Sequence, residues 1–99
     1  MGLFDFLKEE KNTASKDFSM VVEDTFSIKG RGVVVCGDVL LGEVNVGDEV
    51  SINNKSYLVG GIENNKQIIK KATVNMSIGL LLKGADINDI KRGDVVQTF

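Results

Sequence analysis

Along most of this chain, apolar and polar residues alternate every second position, or apolar residues bunch into short runs closed by glycine. Residues 18–28, FSMVVEDTFSI, are rich in β-branched and aromatic side chains and partly alternate, the pattern of a half-buried strand. Gly30-Arg31-Gly32 marks a turn, and residues 33–41 follow as a second strand, in which Gly37 predicts a bulge or bend. Gly42-Glu43 turns into Val44-Asn45-Val46, and Gly47-Asp48 turns into a strand over 49–52. Asn53-Asn54-Lys55 reads as a loop. Residues 56–62 and 66–73 read as two strands around Glu63-Asn64-Asn65, and residues 77–83 as another, closed by Gly84. Asp86-Ile87-Asn88-Asp89-Ile90 carries the polar caps of a single helical turn, and a final strand occupies 95–99. Six or seven short strands at about ten-residue spacing predict an all-β, antiparallel barrel. Closure removes edges that would otherwise pair with other chains.

The first sixteen residues break this period. Leu3, Phe4, Phe6 and Leu7 fall, drawn as a helix, within an arc of roughly 160°. Asp5, Lys8 and Glu9 lie largely opposite. Such a face either docks on its own domain or meets a partner, and about three turns of helix are weak alone in water. The polar stretch over 9–16 reads as a linker, so the expected division is an amphipathic segment and linker over 1–16 and a barrel over 17–99. The apolar run is interrupted by Asp5 and lacks the basic leader of a secretory signal. No stretch approaches the ~18 apolar residues of a membrane span, which leaves a cytoplasmic protein as the expectation.

Composition narrows the chemistry. The 99 residues include no His and a single Cys, so no Ser-His-Asp or Cys-His arrangement, usual zinc site or internal disulfide can form within the chain. Twelve Lys and Arg stand against fourteen Asp and Glu, a net charge of −2, too near neutral for a general nucleic-acid coat. The balance is uneven: residues 1–49 carry five basic and ten acidic side chains (−5), and residues 50–99 seven and four (+3). Gly79-Leu80-Leu81-Leu82-Lys83-Gly84 has the glycine spacing of a phosphate loop, but Ala85-Asp86 replaces its Lys-Ser/Thr. No GTP binding is expected, and neither metal nor cofactor. Adjacent carboxylates such as Glu23-Asp24 and Asp48-Glu49 point to opposite faces of a strand and make no acid/base pair by themselves. The expectation is a non-catalytic binding module.

One ordered set of motifs is more specific. The string Val22-Glu23-Asp24-Thr25-Phe26-Ser27-Ile28-Lys29-Gly30-Arg31-Gly32-Val33-Val34-Val35-Cys36-Gly37 resembles the start of the second domain of elongation factor Tu and related translational GTPases. Gly42 to Val50 looks like that family's second hairpin, Gly61-Ile62-Glu63 like its "GIE" strand end, and Gly79 to Gly84 with Ile90 to Val96 like its closing segment. The resemblance covers about residues 17–98 and implies a closed, six-stranded Greek-key β-barrel. It implies a role in holding the aminoacylated 3′ end of tRNA or in touching ribosomal RNA. Glu23, Asp24, Phe26 and Ile28 match the segment near the aminoacyl end, Glu63 matches the acid beside the terminal adenine, and Lys66 stands where the family usually has Arg. Cys36, Asn65 and Ser77 depart from the family's Thr, His or Phe, and Asn. Lys29, Arg31, Lys70 and Lys71 are candidate phosphate contacts, and Leu3, Phe4, Phe6 and Leu7 the candidate docking face for a protein partner. The two functional readings are thus an RNA-binding translation module and a repurposed protein-interaction module.

Overall fold

The computed structural model describes residues 17–98. The expected amphipathic segment, with Leu3, Phe4, Phe6 and Leu7, lies outside the described residues. Ten strands follow in order: β1 Ser19–Val21, β2 Asp24–Ile28, β3 Gly32–Leu41, β4 Glu43–Asn45, β5 Glu49–Ile52, β6 Lys55–Asn64, β7 Gln67–Ile69, β8 Lys71–Thr73, β9 Ser77–Lys83 and β10 Val95–Gln97. A 3₁₀ turn, Ile87–Asp89, precedes β10, and the Asp86 carboxylate caps it by accepting from the Asn88 amide at 2.9 Å.

Six of these strands close a ring, all pairs antiparallel. β1 pairs β3, β3 pairs β9, β9 pairs β6, β6 pairs β5, β5 pairs β10, and β10 returns to β1. The closed six-stranded barrel implied by the sequence is the architecture of the protein. Alternation decides what fills it. In β3, Val33, Val35 and Val39 are buried while Val34, Cys36 and Asp38 face outward, and in β9 Ile78, Leu80 and Leu82 point in. Phe18, Met20, Ile52 and Ile62 complete the bulk of the core. Burying such side chains contributes about 1.5–3 kcal/mol each.

Three local expectations are revised. Residues 18–28 form two strands rather than one, because Val22 leaves β3 to exchange backbone bonds with the turn before β10: its amide donates to the Asp94 carbonyl and its carbonyl accepts from Gly93, both at 2.8 Å. Residues 66–73 likewise divide into β7, which pairs β6, and β8, which pairs β4. The register slip in β3 falls not at Gly37 but opposite Ser19 and Met20, which pair with Leu41 and Val39 and leave Leu40 as the extra residue. Gly37 is there for a close approach, since a Cβ would overlap the Val21 carbonyl oxygen. At the base of the barrel the two ends of the described chain meet. The Phe18 amide donates to the Thr98 hydroxyl at 3.0 Å, and the Thr98 amide to the Phe18 carbonyl at 3.2 Å.

Candidate functional site

Above the ring, β2 pairs the first half of β3, and β7 pairs the last residues of β6. The strands β2, β3, β9, β6 and β7 therefore lie side by side, and cross-strand register fixes what shares their outer face. One row reads Phe26, Val34, Leu81, Gly61; the next reads Asp24, Cys36, Gly79, Glu63, Ile68. Glycines where side chains would otherwise stand leave a groove. A Cβ at Gly79 would reach to 3.1 Å from Val34 Cγ1 and 3.7 Å from Cys36 Sγ, filling the floor.

The groove has a wide part of about 470 Å³, lined among others by Glu23, Phe26, Cys36, Asp38, Glu63 and Gly79. An adjoining part of about 350 Å³ shares Ile28, Val34, Glu63 and Gly79 and continues to Arg31, Ile68 and Leu81. Phe26 is 50% exposed and Ile68 83% exposed, so apolar surface is offered to solvent on both walls. At the wide end the Asn64 side-chain amide donates to the Ser77 carbonyl at 2.7 Å and the Ser77 hydroxyl donates to Asp38, tying β6, β9 and β3 together at the rim. At the other end the β2–β3 turn is closed by the Arg31 amide on the Ile28 carbonyl, at 2.9 Å, and Gly84 donates to the Arg31 carbonyl at 3.0 Å.

The structure brings Glu23, Phe26, Ile28 and Glu63 together in this groove. Asp24 lies at its margin, opposite Cys36. Lys66 stands in the β6–β7 turn at φ 67°, next to the groove residue Asn65 but outside the lining. Lys29 and Arg31 sit on the β2–β3 turn around a further cavity of about 290 Å³. Lys70 and Lys71 are not part of the group: Lys71 pairs with Glu43 at 3.9 Å beside β4, and the Lys70 carbonyl accepts from Val46. Val34, Gly79 and Leu81 also belong to the groove, from within family segments that assign them no role, and Asp38 and Ile68 join them from outside those segments. Their signal is the period-2 partner of a buried face, readable once Val33 and Val35 are known to point inward.

Burial pushes the Cys36 thiol above its ordinary pKa, and the carboxylates of Asp24, Glu63 and Glu23 push it further. A raised pKa keeps the thiol neutral in the fold, so stability contributed this way is present below the ordinary thiol pKa and falls as pH rises above it. At pH 8, alkylation of Cys36 by iodoacetamide is expected to be slower in the folded protein than after denaturation, because the thiolate is the nucleophile. Equal rates would contradict this placement. Among the described residues, no three His, Cys, Asp or Glu side chains are arranged to hold a metal ion. Nor is any described helix long and apolar enough to cross a membrane.

Residues 32–97 match the family described as elongation factor Tu domain 2. The chain belongs to this family. Among solved structures, the elongation factor Tu domain 2 fold of this chain is similar to a bacterial selenocysteine-specific elongation factor, with 30% identity over 85% of this chain and a TM-score of 0.77. It is also similar to translation elongation factor SelB from Methanococcus maripaludis in its apo form, with 33% identity over 84% of this chain and a TM-score of 0.78. The chain spans 15% and 19% of those two proteins. What it shares with them is therefore one translation-factor domain.

Proposed function

We propose that this chain is a non-catalytic, cytoplasmic binding module whose outer-sheet groove receives the single-stranded 3′ end of a tRNA. The observation that carries the reading is the convergence of Glu23, Phe26, Ile28 and Glu63, from β2, β6 and their flanks, on one apolar groove floored by glycine. An exposed Phe offers a stacking face for a base, and a carboxylate accepts from amino or hydroxyl groups of the nucleoside. Arg31 and Lys29 stand at the narrower end, where phosphates leaving the groove would pass. The two similar proteins are both elongation factors, which supports the same direction.

The test is a backbone amide NMR titration with a short acceptor-stem RNA ending in CCA, aminoacylated and bare. Shifts are expected over residues 23–28 and 63–66. An absence of shifts at low salt would overturn the reading and turn attention to a protein partner at Leu3, Phe4, Phe6 and Leu7. Arg31→Gln should lower the slope of log K against log salt by about 0.7, the value for one single-strand phosphate contact. Lys66→Ala should also weaken binding, and an unchanged affinity in both variants would remove the phosphate contacts from the reading. GTP should leave the melting temperature of the protein unchanged.

A further inference from the structure

Alternation fails at one place in β3. Val33, Val35, Gly37 and Val39 are buried, so the next inward position belongs to Leu41, yet Leu40 and Leu41 are both exposed, at 59% and 55%. The register slip opposite Ser19 and Met20 is the cause: it leaves Leu40 unpaired and turns Leu41 outward beside it. Val39 also exchanges backbone bonds with the residues before β9. Its carbonyl accepts from the Asn75 amide and its amide donates to the Met76 carbonyl, both at 2.9 Å. That pairing sets the exposed Val74 alongside Leu40. Across the sheet the row from Leu41 becomes polar, through Ser19, Gln97 and Ser51. Three large apolar side chains thus form a bounded patch, and none of them lines the groove.

The chain enters the described fold at the edge of this patch. Gly42 follows Leu41 at φ 67°, and a Cβ there would lie 2.5 Å from the Asp17 carbonyl oxygen and 3.0 Å from the Phe18 amide nitrogen. Ser19, two residues on, pairs directly with Leu41. Residues 1–16 therefore join the barrel against Leu41 and Gly42. The polar stretch over 9–16 is a tether of eight residues, and a random coil of that length spans about 16 Å. Leu3, Phe4, Phe6 and Leu7 are thus held within reach of Leu40, Leu41 and Val74. The groove floor at Val34 is seven residues further along β3, about 23 Å of strand. Tethering beside the patch gives an effective concentration on the order of millimolar, which favours the segment over a free competitor.

We propose that Leu40, Leu41 and Val74 form a docking surface for residues 3–7 of the same chain. Drawn as a helix, Leu3, Phe4, Phe6 and Leu7 share one face, and about three turns of helix are weak alone in water. The patch supplies the cover that such a face needs, and docking removes apolar surface from water on both partners. The two Phe rings bring the largest area to it. Because the patch is separate from the groove, docking leaves the groove open. The inference stands whether or not the groove receives RNA.

The experiment compares backbone amide spectra and thermal melts of the full chain with those of Phe4→Ser, Leu41→Ser and the double variant. Phe4→Ser should move amides over residues 39–42 and 73–75 and leave those over 23–28 and 63–66 in place. It should also lower the melting temperature by about 4–8 °C. In a chain already carrying Leu41→Ser, a change at an exposed position, the same substitution should lower it by much less, because the two residues share one contact. Shifts over 23–28 and 63–66 instead would put the segment in the groove and overturn the proposal. So would additive melting shifts, or a barrel spectrum unaltered by Phe4→Ser. Shifts over 39–42 that fade on dilution, with a dimer in sedimentation, would assign the patch to a second copy and overturn docking within one chain.

Discussion

Gly32→Ala is expected to unfold the barrel at temperatures where the parent chain is folded. Gly32 opens β3 at φ 144°, paired with Ile28 of β2 on one side and Lys83 of β9 on the other. A Cβ there would overlap the Leu82 carbonyl oxygen and stand 2.9 Å from the Gly84 amide nitrogen. Both obstacles are backbone, so relief requires β9 to move off β3, and β9 is the strand that joins β3 to β6 and closes the ring. The cost is roughly 3–5 kcal/mol, at the diagnostic end of single substitutions. For a domain of this size that lowers the melting temperature by more than about 10 °C. Gly93→Ala supplies the contrast. Its φ is 95° with nothing within 4 Å of a new Cβ, so it carries the backbone term alone, roughly 1–2 kcal/mol. Thermal melts of the two variants check the argument, and equal destabilisation would show that the close approach at Gly32 is not what the site depends on.

The second large effect is on binding. Phe26→Ala should weaken the CCA end by about 1–3 kcal/mol, the worth of one base stacked on an aromatic ring, or roughly 5- to 150-fold in Kd. Because the ring is half exposed on the outer face and outside the buried core, stability should change far less than in Gly32→Ala. That separation makes the variant informative, since a loss of affinity in a well-folded protein points to the ring itself. Isothermal titration beside a thermal melt gives both numbers, and unaltered affinity would take Phe26 out of the binding surface.

The elements that could be read from the chain are those whose pattern is local. Val33 and Val35 alternate with Val34 and Cys36, and glycine or asparagine turns close the strands around them. Asp86 announces its 3₁₀ turn because a carboxylate two residues before an amide is a cap. What could not be read depends on distant partners. Nothing at Val22 indicates that its backbone bonds go to residues 93 and 94, yet that exchange splits one apparent strand into β1 and β2. Nothing at Lys70 indicates that the chain there leaves β6 for Val46 and then β4, which carries Lys70 and Lys71 away from the groove. Glu23, Phe26 and Glu63 were legible through the family motifs they sit in, whereas Asp38 lies just past the end of one and was not. The groove's floor was not legible, because Gly79 and Gly61 become a floor only when β9 is laid between β3 and β6.

The reciprocal bonds between Phe18 and Thr98 have a bearing on modularity. Entry and exit lie one hydrogen-bonded pair apart, so this unit can be spliced into a surface loop of another protein with almost no separation imposed on the host's two cut ends. Chain ends held together in this way are what make domain insertion tolerable. A barrel so arranged is a portable cassette, and neither residue of the seam is among those that line the groove.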